Sequence, residues 1–186
     1  MKTIRQALLM ASMVIALATA AQQSDALVAS INAAYAQAQE SIKANKRMGN
    51  DMVTTIHYYV PGKGRATETV KFFFYTTQGV FALTPPGEDN TFHYYPLFFI
   101  ARDYNIGDQK YHEEYLFESS DEHLIYASTQ HYDEQGKRID RKFYFKEGNV
   151  QAVTGPAATQ RMQEDVYYQA MELKHAFDNM VKNPKE

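Results

Sequence analysis

Apolar side chains recur every three or four residues in two segments near the ends of the chain. In the first, about residues 24–46, they are Leu27, Ile31, Ala34, Tyr35, Ala38 and Ile42. In the second, about residues 157–182, they are Met162, Val166, Ala170, Leu173, Phe177 and Met180. This spacing gathers each set on one side of a helix, so it predicts two amphipathic helices. Both stripes must be buried against one face of a sheet, or in the hollow of a curled one.

The region between the helices, residues 52–153, is rich in aromatic and β-branched side chains, which favour strands. Turn sequences divide it at residues 61–64, 85–90, 105–108, 119–122, 134–137 and 147–149. This pattern predicts an antiparallel, curved β-meander of about six to eight strands. With an N-terminal and a C-terminal α-helix flanking the sheet, the fold class is α+β. The length suits a single domain, residues 21–186.

The two hairpins between residues 111 and 145 predict a definite register. With four-residue loops at 119–122 and 134–137, side-chain alternation places the aromatic residues of three strands on one apolar face. The predicted cross-strand pairs are Tyr115 with Tyr126, Phe117 with Leu124, Tyr126 with Phe145, and Tyr132 with Ile139. A slip of one residue would bury the charged side chains of the opposite face.

The polar face of these three strands contains candidate metal ligands. The same register places His131 opposite Asp140, with His112 on the adjoining strand. Two imidazoles and a carboxylate are donors that a divalent cation such as zinc accepts. The alternative is a solvated sheet face on which the His–Asp pair contributes little to stability. No other cofactor is indicated.

The stretch from Phe92 to Ile100 carries aromatic side chains on both faces of one strand. Such a strand is either covered on both sides or exposes an apolar patch. Pro96 suits an edge strand or a bulge, so we expect a surface that binds a ligand or partner. The expected lining residues are Tyr94, Tyr95, Phe98 and Phe99. Full burial of both phenylalanines without a cleft near Tyr94 would contradict this expectation.

The first twenty residues have the layout of a secretory signal peptide. Lys2 and Arg5 precede an apolar run, and Ala18-Thr19-Ala20 provides the small-x-small pattern of a cleavage site. The apolar run is shorter than the roughly 20 residues that span a bilayer. Because no cysteine follows it, the chain is not expected to be a bacterial lipoprotein. We expect a periplasmic or secreted protein without a membrane span in its mature chain.

Charge and cysteine content argue against several function classes. The chain has 19 basic and 22 acidic residues, and loss of Lys2 and Arg5 leaves 17 against 22, a net charge of −5. A mildly acidic chain without a basic patch does not fit nucleic-acid binding. With no cysteine, the protein has no disulfide, no Cys nucleophile and no Cys-ligated metal.

Catalytic motifs are not recognisable in the sequence. The six histidines are scattered, and no serine lies in a Gly-x-Ser-x-Gly setting. The adjacent carboxylates Glu113 and Glu114 would point to opposite faces of a strand rather than across a cleft. We therefore favour a non-enzymatic binding module for a small ligand, a peptide or a partner protein, although an enzyme stays possible.

Two alternatives remain open. The first is a hydrolase or lyase on a cone-shaped, cystatin-like or NTF2-like fold, with His57, His93 or Asp103 inside an apolar cavity. The second is an inhibitor of an exported enzyme, with residues 84–90 as its protruding loop.

Part of the predicted meander also resembles a known sequence pattern. The segments concerned are His112–Phe117, Leu124–Ala127, Arg141–Phe145 and Glu147–Val150. They resemble exported bacterial proteins of uncharacterised function, of the kind found in Bacteroidetes, in which similar Tyr- and Phe-rich strands form a meander. The resemblance implies a bacterial exported β-sheet domain and transfers no catalytic residue.

Overall fold

The computed structural model describes residues 24–44, 51–80, 91–118, 122–133 and 135–182. The predicted signal peptide and the loop at 84–90 lie outside these residues. Helix α1 covers residues 24–44. The other elements are β1 (Asp51–Val60), β2 (Gly64–Phe74), β3 (Thr77–Val80), β4 (Thr91–Tyr94), β5 (Leu97–Ile106), β6 (Gln109–Phe117), β7 (Leu124–Tyr132), β8 (Arg138–Lys146), β9 (Asn149–Thr154) and α2 (Gln160–Lys182).

Seven strands form one antiparallel sheet in the order β1-β2-β5-β6-β7-β8-β9, and β3 and β4 form a separate two-stranded hairpin. The predicted α+β fold with six to eight meander strands is therefore confirmed. The segment expected to be one strand, residues 92–100, is divided between β4 and β5. Pro96 lies at the break, where it has no N–H to donate and its carbonyl accepts the Tyr75 N–H at 3.0 Å.

The sheet buries a row of side chains on each of its faces. One row comprises Phe72, Ile100, Tyr115, Ala127 and Phe143, and the other Phe73, Phe99, Leu116, Tyr126 and Tyr144. The first row packs with Ala170 and Phe177 of α2. The second packs with Ile31 and Ala38 of α1. The expectation that both helices share one face was wrong, because the sheet is apolar on both faces and lies between the helices.

The β6–β7 hairpin follows the predicted register only next to its loop. Phe117 pairs with Leu124 as predicted. A bulge between Leu116 and Phe117 then shifts the pairing, so that Leu116 rather than Tyr115 lies opposite Tyr126. The prediction assumed a single apolar face, on which a one-residue slip is costly. Because both faces of this sheet are buried, either register buries apolar side chains, and the apolar pattern does not select one of them.

The β7–β8 pairing is displaced by one residue along its whole length. Tyr126 lies opposite Tyr144 rather than Phe145, and His131 lies opposite Ile139 rather than Asp140. Cross-strand neighbours share a face, so this displacement moves the predicted polar residues of β7 relative to those of β8.

Helix α2 begins later than the predicted start near residue 157. Thr159 caps it, because its hydroxyl accepts the N–H of Met162 at 3.2 Å. Gly155, at φ +99°, makes the turn from β9, and a Cβ there would collide with the carbonyl of Asp140. Neither α2 nor the described part of α1 has the length and apolar character of a membrane-spanning helix.

Candidate functional site

Beyond the two apolar rows, the sheet becomes polar on both faces. We call the face that packs with α2 the α2 face and the face that packs with α1 the α1 face. On the α2 face the next row of cross-strand neighbours is Val70, Arg102, Glu113, Thr129 and Arg141. On the α1 face it is Lys71, Ala101, Glu114, Ser128 and Lys142. Glu113 and Glu114 thus point to opposite faces, as alternation predicts. Each carboxylate is the centre of a separate hydrogen-bond network.

On the α2 face, Arg102 joins two carboxylates. Its Nε and Nη2 donate to the two oxygens of Glu68 at 2.9 and 3.0 Å, and its Nη1 donates to Glu113 Oε2 at 3.0 Å. Bidentate pairs of this kind are among the stronger hydrogen bonds in proteins. Burial lowers the pKa of Arg102, but the hydrogen bonds and charges of Glu68 and Glu113 outweigh it and raise that pKa above its usual value.

Tyrosines complete the surroundings of Glu113, whose exposed fraction is only 5%. Tyr115 donates to its Oε2 at 2.8 Å and Tyr104 to its Oε1 at 3.2 Å. The Arg102 guanidinium lies 4.5 Å from the centre of the Tyr104 ring, which stacks on Tyr111 at 4.7 Å. Burial, and then the charge of Glu113, raise the pKa of Tyr115. We call Glu68, Arg102, Tyr104, Glu113 and Tyr115 the α2-face network.

A cavity of about 440 Å³ lies next to this network, between α2 and strands β7 and β8. We call it the helix–sheet cavity. Its lining residues are Thr129, His131, Tyr132, Asp133, Ile139, Arg141, Phe143, Met162, Asp165 and Val166. Its volume falls in the range typical of small-ligand pockets, and it combines an apolar wall with a few polar groups.

The protonation of His131 and the hydrogen bonding of Arg141 determine what the cavity offers to a ligand. His131 Nε2 lies 3.6 Å from Glu113 Oε1, and burial lowers the His131 pKa despite that carboxylate. His131 is therefore neutral near pH 7, with one donor and one acceptor. Arg141 donates its Nε–H to the carbonyl of Pro156 at 3.2 Å. Within the described residues Arg141 has no ion pair, so its terminal N–H groups are available to a ligand.

On the α1 face, a second network connects the helix to the sheet. Glu114 Oε2 accepts the hydroxyl protons of Tyr35 at 2.7 Å and Ser128 at 3.1 Å. His112 lies between two carboxylates, with its Nε2 3.3 Å from Glu114 and its Nδ1 2.7 Å from Asp103. The hydrogen bond with Glu114, followed by that with Asp103, raises the His112 pKa to about 9 against the effect of burial. His112 is therefore a cation at neutral pH. We call these five residues the α1-face network.

The three predicted metal ligands are not brought together. His112 and Asp140 lie on the α1 face, whereas the displaced register puts His131 on the α2 face, opposite Ile139. Asp140 instead accepts two bonds from Arg138. Among the described residues, no three His, Asp or Glu side chains are placed to hold one metal ion. The expected register was wrong, and with it the geometry of this site.

The four residues expected to line a ligand surface are distributed over the fold. Phe98 and Phe99 are 2% and 1% exposed and belong to the cluster that packs with α1. Tyr95 contacts Phe74, with the ring centres 5.7 Å apart, on the α2 side. Tyr94 is exposed. A ligand could reach Phe99 only by displacing α1, so these residues do not form one surface.

Two of the three residues named for an enzymatic alternative, His57 and Asp103, are exposed rather than enclosed in an apolar cavity. His57 is exposed on β1 and bonds the Thr67 hydroxyl at 3.1 Å. Asp103 is exposed and pairs with His112. His93 lies on β4, opposite Gln78.

The α2-face network was missed by the sequence analysis, although a signal for it exists. Arg102 lies two residues after the buried run at the start of β5, and Glu113 lies two residues before the buried run at the end of β6. A charge at the end of such a run needs a partner if it is to be buried. Which charges meet depends on the pairing of β5 with β2 and β6, for which the sequence pattern predicted no register.

Comparison with models of known protein families, with curated proteins and with solved structures finds no match to this chain.

Proposed function

We propose that this protein is an exported, non-enzymatic binding module that holds a small amphiphilic ligand in the helix–sheet cavity. The observation that carries the proposal is the cavity itself, about 440 Å³ beside a buried charged network. Cavities of this size with apolar walls and a few convergent polar groups are the usual form of small-ligand sites.

The two sides of the cavity suggest what the ligand looks like. Met162 and Val166 of α2 and Phe143 of β8 offer an apolar wall. Arg141, without an ion pair among the described residues, offers a cationic group near the neutral His131. An apolar chain or ring that ends in a carboxylate would satisfy both sides, because charge-assisted hydrogen bonds to guanidinium are strong.

The state of Glu113 supports binding rather than turnover. Its two oxygens already accept hydrogen bonds from Arg102, Tyr104 and Tyr115. A carboxylate engaged in this way is poorly placed to act as a general base, which must be within reach of the proton it abstracts. Its Oε1 instead lies 3.6 Å from Nε2 of His131, which lines the cavity.

Titration with three eight-carbon probes tests the ligand class. We expect sodium octanoate to bind more tightly than octan-1-ol or octylammonium, measured by calorimetry or NMR shift changes. Arg141→Gln should weaken octanoate binding by about tenfold, the loss of one charge-assisted bond, and leave octan-1-ol binding almost unchanged. Equal loss for both probes would contradict the role of Arg141.

A matched pair of substitutions locates the site. Met162 and Met180 are 43% and 38% exposed on the same helix, about 27 Å apart along its axis. Met162→Trp should fill the mouth of the cavity and abolish octanoate binding, whereas Met180→Trp should retain it. If both variants bind like the parent protein, or if the parent binds none of the probes, the cavity is not the site.

The export component has a separate test. When the full chain is expressed in a bacterium with a functioning secretion system, the periplasmic or secreted product should begin at Ala21 or Gln22, as read by intact mass. A product that stays in the cytoplasm with residues 1–20 attached would contradict export and leave the ligand proposal standing.

A further inference from the structure

The strand β1, at one edge of the sheet, is unusually apolar for an edge. It is ten residues long and carries one charged side chain, Asp51 at its first position. Tyr59, Val53 and Ile56 are 71%, 53% and 49% exposed. Among the described residues, no strand pairs with its outer edge. Edge strands normally avoid such pairing by charged side chains, proline or short length, and of these protections β1 has only Asp51 at its first position.

The opposite edge of the sheet differs from β1. Strand β9 has six residues, and no large apolar side chain of it is exposed. Both strands are edges of the same sheet, and each pairs antiparallel with one neighbour, β1 with β2 and β9 with β8. The exposed apolar side chains of β1 therefore need an explanation that is specific to β1.

We infer that β1 pairs antiparallel with β1 of a second copy of this chain, about a two-fold axis through Ile56. A two-fold axis perpendicular to the sheet keeps each face on its own side, so residues that pair directly must share a face. Pairing about Ile56 then places Ile56 opposite the partner's Ile56. It also places Val53 opposite the partner's Tyr59, which joins the two most exposed large apolar side chains of the strand.

A neighbouring symmetric register fits less well. Pairing about Thr55 would place Val53 opposite the partner's His57 and Tyr59 opposite the partner's Asp51. The register through Ile56 instead combines aromatic and β-branched residues, the pairs that stabilise sheets.

Charge also favours a second copy over an unrelated extended peptide. Asp51 lies at one end of β1, and the exposed Lys63 lies in the turn that follows its other end. Antiparallel pairing brings the Asp51 end of each copy to the Lys63 turn of the other. The strand is thus complementary to itself in both shape and charge, which a peptide of arbitrary sequence would not be.

Sedimentation of the mature chain tests the dimer. We expect a dimer at tens of micromolar, and at least a tenfold weaker association for Ile56→Lys, because two ammonium groups would then lie directly opposite each other. Tyr168→Lys, at an exposed aromatic position on α2, is the matched control and should remain dimeric. A monomeric parent protein would overturn the inference, even if that monomer bound an extended peptide. A dimer whose association is unaffected by Ile56→Lys would also overturn it.

Cysteine crosslinking tests the register, since the chain has no cysteine of its own. Ile56→Cys should form an intermolecular disulfide under mild oxidation, because directly opposed residues satisfy the roughly 4.4–6.8 Å Cα separation of disulfides. His57→Cys should not, because it would lie opposite the partner's Thr55. Equal crosslinking of both variants would overturn the axis through Ile56.

Discussion

At the scale of single residues, the stability of this protein depends on where its charges are paired. Arg102 joins Glu68 and Glu113 in surroundings that exclude most water, and each side chain is less than a sixth exposed. Arg138 makes a similar pair with Asp140 at 2.8 Å, but in solvent. The same chemistry therefore has different energetic consequences at the two sites, because water screens one pair and not the other.

Replacement of these two arginines measures that difference. Arg102→Met should lower the free energy of unfolding by about 3–5 kcal/mol, because it leaves the buried carboxylates of Glu68 and Glu113 without their cationic partner. Arg138→Met should lower it much less, because an ion pair in solvent contributes little to stability. Urea denaturation of both variants is the measurement. Similar losses would show that the α2-face network is not shielded from water.

The α1-face network should make stability depend on pH. The folded His112 pKa, about 9, lies above its ordinary value of 6.5. Its contribution is therefore fully present below pH 6.5 and is lost as the pH rises through 9. The Glu114 pKa is lowered, because hydrogen bonds from His112 and Tyr35 outweigh the effect of burial. Its contribution is present above its ordinary pKa and is lost as the pH falls through the lowered value.

Replacement of His112 tests this dependence. The unfolding free energy of His112→Gln, compared with that of the parent protein, should be reduced more at pH 6 than at pH 10, where the parent imidazole is neutral. Urea denaturation at the two pH values checks it. A difference that does not change with pH would mean that the ion pairs of His112 contribute nothing.

At the scale of elements, short turns decide where each helix and strand begins. Gly155 links β9 to α2 in a left-handed conformation with the Asp140 carbonyl next to it. Gly136, in the β7–β8 turn, has a similar φ of +77° but open space around it. Position 155 requires glycine both because its φ is positive and because a Cβ would collide with the Asp140 carbonyl. Position 136 requires glycine only because its φ is positive.

Alanine at the two glycines separates these causes. Gly136→Ala should cost about 1–2 kcal/mol of unfolding free energy, the penalty of a left-handed backbone for a residue with a Cβ. Gly155→Ala should cost more by about 1–3 kcal/mol, since the added methyl forces the backbone to shift. Thermal or urea unfolding gives the comparison. Equal costs would indicate that β8 can move away freely.

At the scale of the whole molecule, the sheet separates two aromatic cores. Phe177 of α2 contacts Phe72 with ring centres 5.5 Å apart, while Ile31 of α1 is buried with Phe73 and Phe99 on the other face. The two helices share no cluster of buried side chains. Their contributions to stability should therefore be almost independent.

A double mutant tests that independence. Phe177→Ala should cost about 3–5 kcal/mol and Ile31→Ala about 2–5 kcal/mol. The double variant should lose the sum within about 0.5 kcal/mol, as sites without shared partners do. If it is too unstable to measure, Ile31→Val can replace Ile31→Ala. A larger deviation would show that the sheet transmits strain between its faces.

The sequence alone determined the two helices and most of the strand boundaries, although not the break at Pro96 that separates β4 from β5. Periodicity of three to four residues located both helices, and turn residues such as Gly107 and Gly148 located the strand boundaries, because backbone conformation and side-chain alternation are local properties. Alternation also placed Glu113 and Glu114 on opposite faces.

Only the tertiary structure decided which side chains meet. An aromatic strand buried on both faces has no polar face to fix its register, and the one-residue displacement of β7 along β8 placed His131 opposite Ile139 rather than Asp140. The same double burial put Phe98 and Phe99 in the core and left the helix–sheet cavity as the candidate site. Register and layer order depend on contacts between residues that are distant in the chain, and no local pattern specifies them.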